Sequence, residues 1–300
     1  MLFEQHGETL PDARRGHEHF GFKDGISQPG VRDFDRPSRN TPTEVAGKPG
    51  TDLIAPGEFL LGYPRQSSQE GGSDEPAHLS PDWMHDGSFQ VFRLLQQDVP
   101  SWWAQVLAQC ATLPTENALS SDALAATLVG RWRSGTPLAQ APERDTRSGR
   151  DRSQDNNFTY DDDLEGFKTP RFAHIRKMYP LLESGPEVFP ERERHRIVRH
   201  GIPFGPAFDP TEGRGHGVDT ERGVCFNVFI ASIEDGFEFL QRKWANSADF
   251  FAACDGPDPV IGANPTPSPC TLHRMELNDV SLTFKRFVVT AGDLRLCTVH

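Results

Sequence analysis

The sequence has no long hydrophobic run. Its apolar stretches are as short as residues 224–230, so none can span a bilayer as a helix, and a membrane partner is not expected. The opening MLFEQHGETLPDARR lacks the apolar block of a secretory signal peptide. Cysteine is scarce. Cys110, Cys225, Cys254, Cys270 and Cys297 are odd in number, scattered, and form no CxxC pair. That pattern argues against a zinc site and a disulfide framework, and leans towards a reducing, cytoplasmic setting. Positive charge is in deficit: 31 Lys and Arg stand against 43 Asp and Glu, a net charge of −12. Such an excess of acid argues against nucleic acid as a partner. No GxxxxGK[ST] phosphate loop and no GxSxG elbow occur, which removes two large enzyme classes.

What is there instead is glycine and proline, 27 and 25 residues, in a chain of 300 that is 36% hydrophobic. This predicts one large or two small domains rich in loops. Residues 31–57 and 133–170 read as long polar loops, and the Ser/Glu/Asp/Gly-rich stretch 64–86 as a domain boundary. Residues 88–95 carry apolar side chains on both faces of a strand. Residues 101–110 form an amphipathic pattern behind Pro100, and Ser120 and Ser121 cap a second helix over 122–131. A strand over 224–231 leads into a helix over 234–244, where Phe237, Leu240 and Trp244 share one face. Residues 257–269 form a Pro-rich loop, and residues 285–290 and 294–298 are expected to close the chain as a hairpin. The order predicts an α+β fold with one antiparallel sheet backed by helices.

Three clusters could carry chemistry. Asp24 stands in Gly21-Phe-Lys-Asp-Gly25, where flanking glycines let a carboxylate approach a ligand; on spacing alone a plain Asp-Gly turn is the simpler reading. His174 stands beside apolar Phe172, Ala173 and Ile175. It could ligate iron, with Arg176 and Lys177 meeting an anionic ligand, or be a structural histidine. Arg199 follows Ile197 and Val198 and precedes Gly201 and Pro203, so it could face a pocket as a fixed cation or end a solvated charge run. His195, His200 and His216 with nearby Asp219 also allow a metal-hydrolase reading, though their spacing matches no helix-borne pair.

Taken together, the blocks resemble the dye-decolorizing peroxidase family of heme proteins. His19-Phe-Gly-Phe-Lys-Asp-Gly-Ile-Ser-Gln-Pro29 is similar to the family's GxxDG signature, Ala173-His-Ile-Arg-Lys177 to its heme-ligand segment, and Arg196-Ile-Val-Arg-His-Gly-Ile-Pro-Phe-Gly205 to its distal-arginine segment. Blocks at 56–64, 86–93 and 237–246 follow in the family's order. The resemblance implies ferredoxin-like α+β units of the dimeric α+β barrel type, with heme b in the C-terminal one. It implies a first unit truncated to a remnant and linker over 1–85, and a heme-binding unit over 86–300. His174 would be the axial iron ligand, with Arg176 beside it. Asp24 and Arg199 would act on the distal face, with Phe226 and Phe229 as apolar pocket walls.

The implied activity is oxidation of dyes, phenols or other one-electron donors by hydrogen peroxide. A homo-oligomer is left open. The second reading is a non-catalytic heme-binding or heme-handling protein. Trp102, Trp103, Trp132, Tyr160 and Tyr179 are candidates for relaying electrons to bulky donors. Met178-Tyr-Pro-Leu181 departs from the Asn-Pro-Arg ending usual in the family.

Overall fold

The computed structural model describes residues 5–69, 72–146, 151–182, 191–208, 221–251, 255–263, 267–275, 277–285 and 287–299, with side chains described up to residue 289. In chain order the elements are β1 (Gly30–Val31), β2 (Leu53–Ile54), β3 (Ser88–Gln97), α1 (Val99–Thr112), α2 (Ser121–Val129), α3 (His174–Met178), β4 (Val198–Arg199), β5 (Ile202–Phe204) and β6 (Gly223–Ile230). Two π-helical turns, Glu234–Glu238 and Leu240–Ala245, are followed by β7 (Ser268–Leu272), β8 (Val280–Phe284) and β9 (Val288–Val299). The central sheet runs β4-β6-β3-β9 with β5 also on β6, and every pairing in it is antiparallel. The expected α+β class holds.

Local chemistry explains the helices. The Asp98 carboxylate accepts from the Ser101 N–H at 3.1 Å and Pro100 occupies the first turn, so α1 starts there. Its buried residues Val99, Trp102 and Val106 recur at helical spacing. Ser120 Oγ accepts from the Ala123 N–H at 3.2 Å and starts α2. Gly130 ends it with φ at +90°. A Cβ at Gly130 would also lie 2.5 Å from Ile175, so glycine here both stops α2 and lets α3 come close.

The main core gathers Phe20, Phe22, Trp102, Leu124, Leu128 and Phe172 with the β7–β8 hairpin residues Leu272, Leu282 and Phe284. Phe20 stacks on Trp102 at 4.7 Å between ring centroids. Phe20 and Phe22, from the segment 1–85, thus pack in the same core as residues beyond 85.

Two elements differ from expectation. The closing hairpin is instead one strand, β9, lying along β3; its partners shift between Phe92↔Arg295 and Leu94↔Ala291, so the Ala-Gly-Asp read as a turn is absorbed into an irregularity of the ladder. The segment 234–244 is helical but wound as π-turns. Over so short a span the spacing of Phe237, Leu240 and Trp244 suits either winding. Gly236 packs against Ile230, where a Cβ would stand 3.3 Å from it.

Candidate active site

Strand alternation decides which side chains share a face. Arg199 pairs with Val228 across β4 and β6, and Val228 pairs with Val91 of β3. Arg199 therefore shares a face with Phe226, Val228 and Ile230. Val91, Val228, Ile230 and Phe237 form a buried cluster there, with Ile197, Phe226 and Phe89 packed on it. Phe237 sits in the first π-turn, so the π-helical segment covers this face. The short helix α3 in turn packs on the second π-turn. His174 and Arg199 thus belong to the same side of the sheet.

Asp24 reaches this face from a loop. The Glu18 carboxylate accepts from the N–H groups of Phe20 at 2.9 Å and Phe22 at 2.8 Å, and from the Gln97 side chain, fixing the loop's start. Burial pushes the Glu18 carboxyl up to about 7; the nearby Asp24 charge adds to this while the three donors oppose it. Gly21 and Gly25, with φ of +100° and +74°, turn the chain around Asp24. Asp24 Oδ1 accepts from the Gly25 N–H at 2.6 Å and pairs with Arg199 Nη1 at 3.4 Å. Both side chains keep solvent access, 38% for Asp24 and 26% for Arg199, so a small ligand can reach them. A Cβ at Gly201 would meet Asp24 Oδ2 at 3.3 Å and Val224 at 3.2 Å. Glycine at 201 keeps that corner open, with Val224 as an apolar wall.

His174 opens α3. Its Nδ1 is bonded to Asp258 Oδ2 at 2.7 Å. Burial alone would raise the Asp258 carboxyl, but His174 and the N–H groups of Val260 at 2.8 Å and Ile261 at 3.0 Å hold it below the usual carboxylate range. An ionised carboxylate can only accept, so Nδ1 is the donor of this bond and Nε2 is left for another partner. The ring is 25% exposed while Asp258 is sealed. Beneath them Lys177 is buried and donates to the carbonyls of Ser247 and, at 2.8 Å, Gly256. Desolvation lowers its ammonium to about 8.

Other sequence candidates are placed differently. Arg176 is completely buried. It pairs with Asp163 at 3.2 Å and donates to the carbonyls of Thr169, Asp163 and Leu164. Its guanidinium is thereby committed to the 163–169 loop rather than to an anionic ligand. Phe226 and Phe229 do not line one pocket: three residues apart on an unbroken ladder, they point to opposite faces, and Phe229 meets His200 at 6.1 Å. Only Phe226 shares the face of Arg199. Trp102, Trp132 and Tyr160 are buried, Trp103 and Tyr179 half-buried, so none is an exposed contact for a bulky donor. His195 stacks on Phe239 at 3.6 Å, away from His200; His216 and Asp219 lie outside the described residues. Among the described residues no three His, Cys, Asp or Glu converge as a metal site. No helix among them is long and apolar enough to cross a membrane.

Sequence reasoning missed Asp258, Gln28 and Val224. Asp258 lies 84 residues from His174 in a Pro-rich loop, with no spacing to betray it. Gln28 donates from Nε2 to the Arg199 carbonyl at 2.6 Å and accepts at Oε1 from the Arg199 N–H at 3.2 Å. Val224 was legible in principle, because residues 224 and 226 share a strand face.

No family model matches the chain. Among curated proteins, a dye-decolorizing peroxidase of Mycetinis scorodonius is 36% identical over 265 residues, covering 86% of this chain and 48% of that protein. A dye-decolorizing peroxidase of Auricularia auricula-judae is 33% identical over 306 residues, covering 97% and 56%. A solved dye-decolorizing peroxidase in complex with 2,6-dimethoxyphenol superposes with a TM-score of 0.78 at 32% identity, covering 97% of this chain and 63% of that one. The chain spans about half the length of the curated relatives it matches.

Proposed function

The chain is a homologue of the dye-decolorizing peroxidases over most of its length, and from that premise we propose that it is a heme peroxidase that uses hydrogen peroxide to oxidise phenols, dyes or similar organic one-electron donors. The observation that carries this reading is the pairing of two constellations on one side of the sheet: Asp24 with Arg199, and His174 with Asp258.

The donor set fits heme b. A histidine whose Nδ1 donates to an ionised carboxylate, leaving Nε2 for a metal, suits an iron ligand. Heme, when bound, supplies the iron that takes up the oxidising power of peroxide and passes it on in single electrons. His174 would hold it through Nε2, and Asp258 would fix the ring's tautomer and direction. Phe226 and Val224 offer apolar walls on the face of Arg199, which keep water from competing.

The protein's own steps follow from the distal pair. Asp24, with its carboxylate within reach of solvent and of Arg199, takes a proton from one peroxide oxygen and returns it to the other. The Arg199 guanidinium stabilises the negative charge that develops on the departing oxygen. Their 3.4 Å ion pair holds both groups ready in the resting state.

The test is reconstitution of the full chain with hemin, followed by peroxide-dependent oxidation of 2,6-dimethoxyphenol. Wild type should show a Soret band and turnover. Asp24→Asn and Arg199→Leu should keep the band and lose roughly 10²–10⁴-fold in rate. Failure to take up hemin, or turnover that survives both substitutions unchanged, would overturn the proposal.

A further inference from the structure

Lys177 is a buried cation that the proposed mechanism leaves unused. It is completely sealed from solvent, and an ammonium is costly to bury unless charge and hydrogen bonds compensate it. Its Nζ donates to the Ser247 carbonyl, just past the second π-turn, and to the Gly256 carbonyl at 2.8 Å. Of the charges around the ammonium, that of Asp258 acts on it most strongly, ahead of Asp255 and Asp249.

These contacts lie beside the His174–Asp258 bond in the chain. Lys177 follows His174 by three residues, a spacing that makes neighbours on a helix, and Gly256 precedes Asp258 by two. Two tethers therefore join α3 to the 255–262 loop, one from His174 to Asp258 and one from Lys177 to Gly256. The helix α3 has only five residues, too few to hold a direction without tertiary anchors. The loop is laid down closely. The Gly256 N–H donates to the Ala248 carbonyl at 2.9 Å and the Asp258 N–H to the Ala245 carbonyl at 2.8 Å. A Cβ at Gly256 would stand 2.7 Å from the Pro269 carbonyl.

We propose that Lys177 is a positioning residue for His174: its ammonium clasps α3 to the Ser247 and Gly256 carbonyls and, through the Asp258 carboxylate, holds the imidazole in the direction that an iron ligand needs. The inference rests on the peroxidase reading for the iron, though not for the hold on the ring.

The experiment has two arms, both on the full chain. In the first, without hemin, NMR follows exchange of the His174 Nδ1 proton, assigned by its loss in His174→Gln. Lys177→Met, close in length but uncharged, should speed that exchange about 10-fold or more in folded protein, because the bond to Asp258 opens more often. In the second arm, hemin affinity is read in a double-mutant cycle. Lys177→Met should weaken it about 10-fold, in keeping with loss of an outer partner of the ligating histidine. The same substitution should cost almost nothing further in Asp258→Asn, where the carboxylate it works through is gone. Equal exchange in wild type and folded Lys177→Met, or losses of hemin affinity that simply add, would overturn the inference. If Lys177→Met does not fold, the coupling is read from its other end. Asp258→Asn should then speed exchange of the Lys177 Nζ protons, since coupling is reciprocal, and unchanged exchange overturns the inference. A chain that takes up no hemin, while Lys177→Met still loosens His174, counts against the peroxidase reading alone.

Discussion

Gln28 grips Arg199 by both backbone groups, donating to its carbonyl at 2.6 Å and accepting from its N–H at 3.2 Å. The side-chain amide acts as one more strand partner for β4, which is only two residues long. Gln28 and Asp24 belong to the same loop. That loop therefore fixes the main chain of Arg199 with one residue and offers a carboxylate to its guanidinium with another. Gln28→Ala should lower peroxide turnover by about 10–100-fold, because small displacements of a reacting group are costly. Hemin affinity should stay as in wild type, since Gln28 does not touch His174 or Asp258. Steady-state kinetics beside a Soret titration checks both halves; an unchanged kcat would show that the clamp is only structural.

The His174–Asp258 pair makes a different prediction. Asp258→Asn keeps the shape but removes the charge that fixes the Nδ1 proton. Hemin affinity should fall about 10–100-fold, the usual effect of removing an outer partner of a ligating histidine. The Asp258 carboxyl is held low in the folded chain, so its contribution is present above the unfolded pKa of about 3.9 and is lost as pH falls through the folded value. Hemin release by wild type should therefore be confined to acid below about pH 4 on this account. Titration of the Soret band against pH follows both effects.

How much of this was legible in the sequence depends on how local each signal is. Asp24, His174 and Arg199 stand in contiguous blocks whose glycines and apolar neighbours can be read directly. The helices α1 and α2 announce themselves through Asp98, Pro100 and Ser120. What could not be read is pairing across distance. Asp258 meets His174 over 84 residues of separation, and nothing in a Gly-Pro-Asp-Pro stretch marks the carboxylate as buried. Arg176 looked like a ligand-facing cation because it follows His174, yet in a helical turn residues two apart point in different directions. Phe226 and Phe229 failed as a joint wall for the corresponding reason in a strand, where an odd separation reverses the face. The Ala291-Gly-Asp293 stretch mimics a hairpin turn, and only pairing with β3 tells a turn from an irregular ladder.

Glu18 supplies a pH prediction whose sign can be worked out. Its folded pKa is pushed up to about 7 by burial, against about 4.3 in an unfolded chain. Between these values the folded state holds a proton that the unfolded state has released, so stability falls as pH rises through that window. Glu58, also buried and pushed up to about 7, acts in the same direction. His19 and His195 are lowered by burial and act oppositely, gaining stability as pH rises towards 6.5. The clean measurement is thus a difference. Relative to wild type, Glu18→Gln should gain about 1–3 kcal/mol between pH 4.5 and pH 7.5. Urea unfolding of both proteins across that range reads it out, and a constant difference would mean that Glu18 stays ionised in the fold.

Arg176 separates a structural role from a ligand-binding one. Its guanidinium is sealed from solvent, paired with the equally buried Asp163, and lies 4.7 Å over the Tyr160 ring. Removing one partner of such a pair leaves the other charge uncompensated, which costs about 3–5 kcal/mol. Arg176→Met retains much of the volume and should destabilise the hemin-free chain by that amount, with an earlier urea midpoint. The double variant Arg176→Met with Asp163→Asn should recover part of the loss, because the stranded carboxylate is gone. If Arg176 instead served an anionic ligand, the hemin-free chain would keep its stability and only hemin affinity would fall. The two outcomes differ in the unliganded protein, so the urea curve alone decides between them.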